Sequence, residues 1–110
     1  MHPMILLLLA ILTEVIGTAA LKYSVGFTKL VPSLVVVAGY GISFYLFAIA
    51  LKSIPLGPAY AIWSGVGTAG TMLISLYLLH EKVDLPLIIG VVLILLGVFV
   101  MSFFSKSITA

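Results

Sequence analysis

The chain has no cysteine and no arginine, and it carries few charges of either sign: five lysines and three acids in 110 residues. Without cysteine there is no disulfide, no zinc–thiolate site and no thiol chemistry. Without arginine there is no planar guanidinium fork to grip a phosphate or carboxylate. Charged residues make up 7% of the chain and apolar residues 64%, whereas a soluble domain holds about 25% and roughly 45–50%. Such a chain cannot cover itself with a water-compatible surface, which disfavours a soluble enzyme and a disordered tail together. A net charge of +2 is too small a surplus to suggest nucleic acid. The length suits one domain, and the solvent that fits is a lipid bilayer.

What is present is four long apolar runs, at residues 4–21, 32–51, 57–79 and 85–104, separated by short segments that hold the charges. Each run has about 20 residues, which as a helix reaches roughly 30 Å, the thickness of the hydrocarbon core. In lipid the backbone must satisfy its own hydrogen bonds, so the runs are expected to be helices. Pro32, Pro58 and Pro86 sit close to helix starts, where proline is tolerated. The expectation is an all-α membrane protein, a single four-helix transmembrane domain over residues 1–110. Reading the first run as a cleaved signal peptide is disfavoured, because His2 makes a poor basic flank and Glu14 interrupts the run.

Glu14 is the one charged residue inside a run. An acid there costs on the order of 2.5–3.5 kcal/mol on insertion scales, so it should face the bundle interior and serve a function. No Lys, Arg or His lies within any of the four runs to pair with it. That leaves protons, hydroxyls or a foreign cation. Its helical neighbours include three small residues, Ala10, Gly17 and Thr18, which can let helices approach closely or leave room for a guest. Thr18 can instead bond its own helix backbone, which weakens its part in a site. In the second run Tyr40 and Ser43 lie one turn apart, and counting residues from the shared loop puts Tyr40 level with Glu14. In the third run Tyr60, Trp63 and Gly67 share a stripe. Aromatic faces beside a carboxylate suit a lipophilic cation, through cation–π attraction and apolar burial together. Tyr23 and Tyr77, near run ends, read as interfacial anchors.

Two tempting motifs do not hold. The run GVGTAG, residues 65–70, matches a dinucleotide fingerprint, but it lies within an apolar run with no acid about 20 residues on. Gly65 and Gly67 read better as a helix bend or a close-packing point. The group His80, Glu81, Lys82 and Asp84 reads as a solvated turn rather than a metal site. No cofactor and no metal are implied. In the fourth run Gly90 and Gly97 are two turns apart on one face, fit for a helix–helix seam between subunits.

Membrane orientation is nearly undecided. With four crossings both termini share a side, which carries Lys52 and Lys106 against Lys22, Lys29 and Lys82 on the other. Positive charge normally selects the cytoplasmic side; here it barely chooses. The expectation is insertion in both directions and an antiparallel homodimer, with Trp63 of one subunit near the depth of the partner's Glu14.

The run AILTEVIGTAALK (residues 10–22), Gly26–Phe27, the stretch from Pro55 to Gly67 containing AYAIWSGVG, and the Gly90/Gly97 pair resemble the small multidrug resistance family of bacterial exporters over essentially the whole chain. The resemblance implies an antiparallel dimer of four-helix subunits in the bacterial inner membrane, exchanging protons for cations. It implies that Glu14 is the shared proton and substrate site. Ala10, Gly17 and Thr18 would flank that site, and Tyr40, Ser43, Tyr60 and Trp63 would line it. Gly65 and Gly67 match the third-helix bend, and Gly90 and Gly97 the dimer seam. Guanidinium exporters of the family usually carry Trp two or three residues after the glutamate; Gly17 and Thr18 stand here, which resembles the branch that exports quaternary ammonium cations. Many drug exporters of that branch have Tyr near the start of the first helix, where this chain has Met4. The alternatives are a guanidinium or polyamine exporter on the same scaffold, one subunit of a heterodimeric exporter, or a membrane assembly that transports nothing.

Overall fold

The computed structural model describes residues 2–104; Lys106 lies outside the described residues. Four α-helices account for nearly all of it: α1 (Pro3–Tyr23), α2 (Leu30–Ala50), α3 (Leu56–Tyr77) and α4 (Leu85–Phe104). No strand occurs among the described residues. Each helix is long and apolar enough to cross a membrane. The chain is an all-α membrane protein.

The helix limits differ from the apolar runs in instructive ways. α1 continues through Lys22 to Tyr23, and α2 begins at Leu30, two residues before Pro32. A lysine near a helix end can extend its charge to the interface, so it need not stop the helix. A proline in the first turn lacks only an amide that would be unpaired anyway, which is why Pro32 and Pro58 both fall at third positions. At the start of α1, the His2 Nδ1 accepts the Met4 amide at 3.1 Å, an N-cap not foreseen from composition. α3 ends at Tyr77, two residues short of the apolar run.

The chain divides into two compact units, one up to Ser53 and one from Ile54. In the first, α1 and α2 form an antiparallel hairpin closed by a tight loop. Ser24, fully buried, organises that loop. Its hydroxyl donates to the Leu21 carbonyl at 2.7 Å and accepts the Phe27 amide at 3.1 Å. Its carbonyl takes the amides of Thr28 and Lys29. This wrapping holds Val25, Gly26 and Phe27 in left-handed conformation, with φ of 49°, 68° and 65°, a region that only the glycine enters without strain. The buried residues of α1 are Leu7, Ala10, Ile11, Val15 and Gly17; those of α2 are Val36, Gly39, Ser43, Phe47 and Ala50, a stripe at three- and four-residue steps.

The second unit is the α3–α4 hairpin. The loop group read as a solvated turn is one: the Ser75 hydroxyl donates to Glu81 at 2.6 Å, and Asp84 accepts the Leu87 amide at 3.1 Å, capping α4. No metal cluster is found among the described residues. The stretch GVGTAG lies wholly inside α3 with no strand before it, which removes the dinucleotide reading. α4, apolar all round, has no buried residue. In water that surface would be untenable, while in lipid it is solvated.

Candidate functional site

α1 places Glu14 mid-helix and half-buried, with Thr18 one turn on along the same face. Two threonines of this helix behave differently. The Thr13 hydroxyl donates back to the carbonyls of Leu9 and Ala10, at 3.1 and 3.0 Å, the usual arrangement for a hydroxyl within a helix. The Thr18 hydroxyl instead donates to Oε1 of Glu14 at 2.7 Å. Of the two roles the sequence left open to Thr18, a part in the site or a bond to its own helix backbone, the hydroxyl takes the bond to Glu14. One turn back is a carboxyl oxygen free to accept, whereas the backbone carbonyl there is already satisfied by the helix.

Tyr40 completes the group. Its hydroxyl lies 2.8 Å from that of Thr18, so α2 brings Tyr40 level with the acid. Gly17 lies beside the Tyr40 ring. A Cβ at Gly17 would sit 3.4 Å from Tyr40 Cδ1 and 3.5 Å from Cε1, so the ring packs against a position with no side chain. The spacing of the two helices is set by Gly39, where a Cβ would come within 2.9 Å of the Thr13 carbonyl oxygen and 3.1 Å of the Gly17 Cα. Both are backbone atoms with nowhere to go. Sequence reasoning missed Gly39. The signal available was its position one residue before Tyr40, opposite Gly17, two small residues at one level of a hairpin.

Ser43 was expected beside the site. It is fully buried, and its hydroxyl donates to the Ala10 carbonyl at 2.7 Å. Its hydrogen is committed to a cross-helix clasp one turn below Glu14. Ala10, also fully buried, is the other half of that clasp.

The second unit carries Tyr60 and Trp63. Trp63 is 8% exposed and Tyr60 61%, with ring centroids 6.5 Å apart and planes tilted by 53°. A tilted aromatic pair of this kind offers faces to a cation. Gly65 is a packing position: a Cβ there would collide with Val98 and touch Ile94 at 3.4 Å, and α3 runs unbroken through Gly65 and Gly67. Gly90 and Gly97 have nothing within 4 Å of an added Cβ, so their face is open within the unit.

The geometry amounts to an acid in a membrane-spanning helix, held by two hydroxyls in series, and an aromatic pair on another span. Against known proteins, the profile described as Small Multidrug Resistance protein matches residues 2–94. The chain is 49% identical over 107 residues to the "Quaternary ammonium compound-resistance protein QacE" of Escherichia coli, covering 97% of each. It is 49% identical over 107 residues to the "Multidrug transporter EmrE" of Escherichia coli K12, again 97% of each. It is 41% identical over 105 residues to the "Quaternary ammonium compound-resistance protein QacC" of Staphylococcus aureus, covering 96% of this chain and 98% of that one. Four spans suited to a bacterial inner membrane, an acid set among hydroxyls in one of them, and full-length similarity of this degree lead to one conclusion: the chain belongs to the small multidrug resistance family.

Proposed function

We propose that the protein is a proton-coupled antiporter that exports lipophilic, often aromatic, quaternary ammonium-type cations, and that it is a secondary transporter rather than an enzyme. The observation that carries this reading is Glu14, the one acid inside a span, mid-helix and bonded to Thr18. That partner is a hydroxyl, which can orient a carboxylate but cannot neutralise it. A proton or an organic cation can. The names of the similar proteins, quaternary ammonium resistance proteins and a multidrug transporter, agree with that choice.

The mechanism is competition for one seat. The working unit is an antiparallel homodimer with a Glu14 from each subunit. A cation arriving at the pair displaces protons; protons arriving down their gradient displace the cation on the other side. Ala10 and Gly17 leave room along α1, Tyr40 bounds the acid, and Tyr60 and Trp63 supply aromatic faces. Gly65 and Gly67 give α3 a point of bending, and Gly90 and Gly97 form the seam between subunits. The lysine count leaves the two orientations nearly balanced, which is what an antiparallel pair of one sequence requires.

The direct experiment measures proton release when tetraphenylphosphonium is added to the purified dimer, comparing wild type with Glu14→Gln. Release from wild type and none from the variant is the expected result. Equal release from both would overturn the assignment of Glu14. Guanidinium transport in proteoliposomes at the expense of quaternary cations would instead favour the guanidinium branch. Gly17 and Thr18 after the acid, in place of Trp, argue against it.

A further inference from the structure

We infer that Thr18 is a positioning residue that couples the ionisation of Glu14 to the donor–acceptor state of the Tyr40 hydroxyl; this rests on the reading of Glu14 as the proton and cation seat. An ionised carboxylate has no hydrogen to give, so the 2.7 Å contact with Oε1 takes the hydrogen of the Thr18 hydroxyl. That hydroxyl has no second hydrogen. The 2.8 Å contact between Thr18 and Tyr40 therefore has one permitted sense: Tyr40 donates and Thr18 accepts. Both hydroxyl hydrogens run toward Glu14, and the Tyr40 oxygen presents only lone pairs to anything beyond it.

When a proton reaches Glu14, the charge that drew those hydrogens is gone. The carboxylic O–H becomes a donor to the Thr18 oxygen, the Thr18 hydrogen turns to Tyr40, and the Tyr40 hydrogen is released outward. No covalent bond in Thr18 or Tyr40 breaks; two hydroxyls rotate. The two helices are held close at this level, because Gly39 presses α2 against the backbone of α1, the Tyr40 ring packs against Gly17, and Ser43 clasps Ala10. Rotation of the hydroxyl hydrogens needs no movement of either helix. α2 brings no charged residue to this group. Its titratable side chains are Tyr40 and Tyr45, and Tyr45, five residues on, is exposed. On α1 itself, Lys22 and Tyr23 stand about two turns away, at the helix end.

The consequence for transport is differential affinity. A cation beside ionised Glu14 meets an acceptor at Tyr40; after protonation it meets an O–H dipole pointing at it. Each arrival of a proton thus weakens the guest's hold at a second point, through Thr18, and only such a difference between states can shift an equilibrium.

The test is infrared difference spectroscopy of the full-length protein in lipid, titrated with acid, with ring-labelled tyrosine. The tyrosine C–O stretch reports whether the phenol donates or accepts, and the carboxyl C=O band reports protonation. Tyr40→Phe identifies the Tyr40 band. In wild type and Thr18→Ser the Tyr40 band is expected to shift in step with the carboxyl band. In Thr18→Val the carboxyl still titrates and the tyrosine shift is lost; in Glu14→Gln neither change occurs. A stationary Tyr40 band while Glu14 titrates in the wild type, or an undiminished shift in Thr18→Val, overturns the coupling. Cation binding measured on the same samples separates the two claims. Binding that ignores pH in wild type sinks the exchange reading, whereas pH-sensitive binding with a stationary Tyr40 band sinks the coupling alone.

Discussion

At the residue scale the acid decides what the site can hold. Glu14 sits where a carboxylate is costly, with Thr18 bonded to it and Tyr40 bonded to Thr18. Competition for one carboxyl has a definite sign. Cation occupancy should fall as pH falls, because protons and guest exclude each other. Isothermal titration of tetraphenylphosphonium between mildly acid and alkaline pH checks this, and flat affinity would refute it. Glu14→Asp should still bind, with a changed pH profile, since the shorter side chain withdraws the carboxylate from Thr18. Gly17 yields a graded prediction. Its Cβ position makes ordinary contact with the Tyr40 ring, so Gly17→Ala should bind cations nearly as wild type does, within roughly 1 kcal/mol. Gly17→Leu should push the ring aside and abolish tight binding. Equal affinities for the two variants would count against the Tyr40–Gly17 contact.

At the element scale the α1–α2 hairpin is a clamp made from two small residues and two hydroxyls. Gly39→Ala forces a Cβ onto backbone atoms and should destabilise the protein by about 1–3 kcal/mol. Gly41→Ala, with open space around it, should be close to neutral. Thermal melts in one detergent compare them, and equal midpoints would contradict the close approach. Removing the Ser43 hydroxyl should cost about 1 kcal/mol, the scale of a neutral buried hydrogen bond. In the α3–α4 hairpin, Gly65→Ala meets Val98, a β-branched side chain with little rotamer freedom. Val98→Ala should restore the stability that Gly65→Ala loses, and a double-mutant cycle without coupling would disprove that packing.

How far these elements were legible in the sequence differs case by case. Four membrane helices followed from the apolar runs because lipid leaves the backbone no other choice. Glu14 stood out because charge inside a span is rare. Tyr40 came level with it through the rise of a helix counted from a shared loop. The sequence left Thr18 between the site and its own backbone, because periodicity places Glu14 on its face but does not choose between a side-chain and a backbone acceptor. Ser43 was placed at the site through the family resemblance; the Ala10 carbonyl that its hydroxyl meets is a contact only the neighbouring helix could reveal. Gly39 escaped notice because its constraint is a distance across two helices.

At the scale of the whole molecule, α4 has no buried residue, and Gly90 and Gly97 have open space around them. If that face is the seam between subunits, Leu at both positions should leave each chain inserted and helical while the dimer dissociates. Cross-linking in lipid reads the outcome, and an intact dimer would move the seam elsewhere. Orientation is the second molecular property open to test. If the chain inserts in both directions, adding two lysines to one loop should bias it to a single orientation and abolish transport, with activity restored by co-expressing the oppositely biased chain.

Composition and spacing alone determined the solvent, the number and approximate lengths of the helices, and the presence of one acid, Glu14, within a span. The reason is that hydrocarbon enforces those choices on every chain, whatever packs beside it. Tertiary structure alone decided the partners of the hydroxyls around Glu14, the commitment of Ser43 to α1 and the pressure point at Gly39. Those depend on which atoms a second helix brings within 3 Å, and no pattern along a single strand of sequence contains that distance.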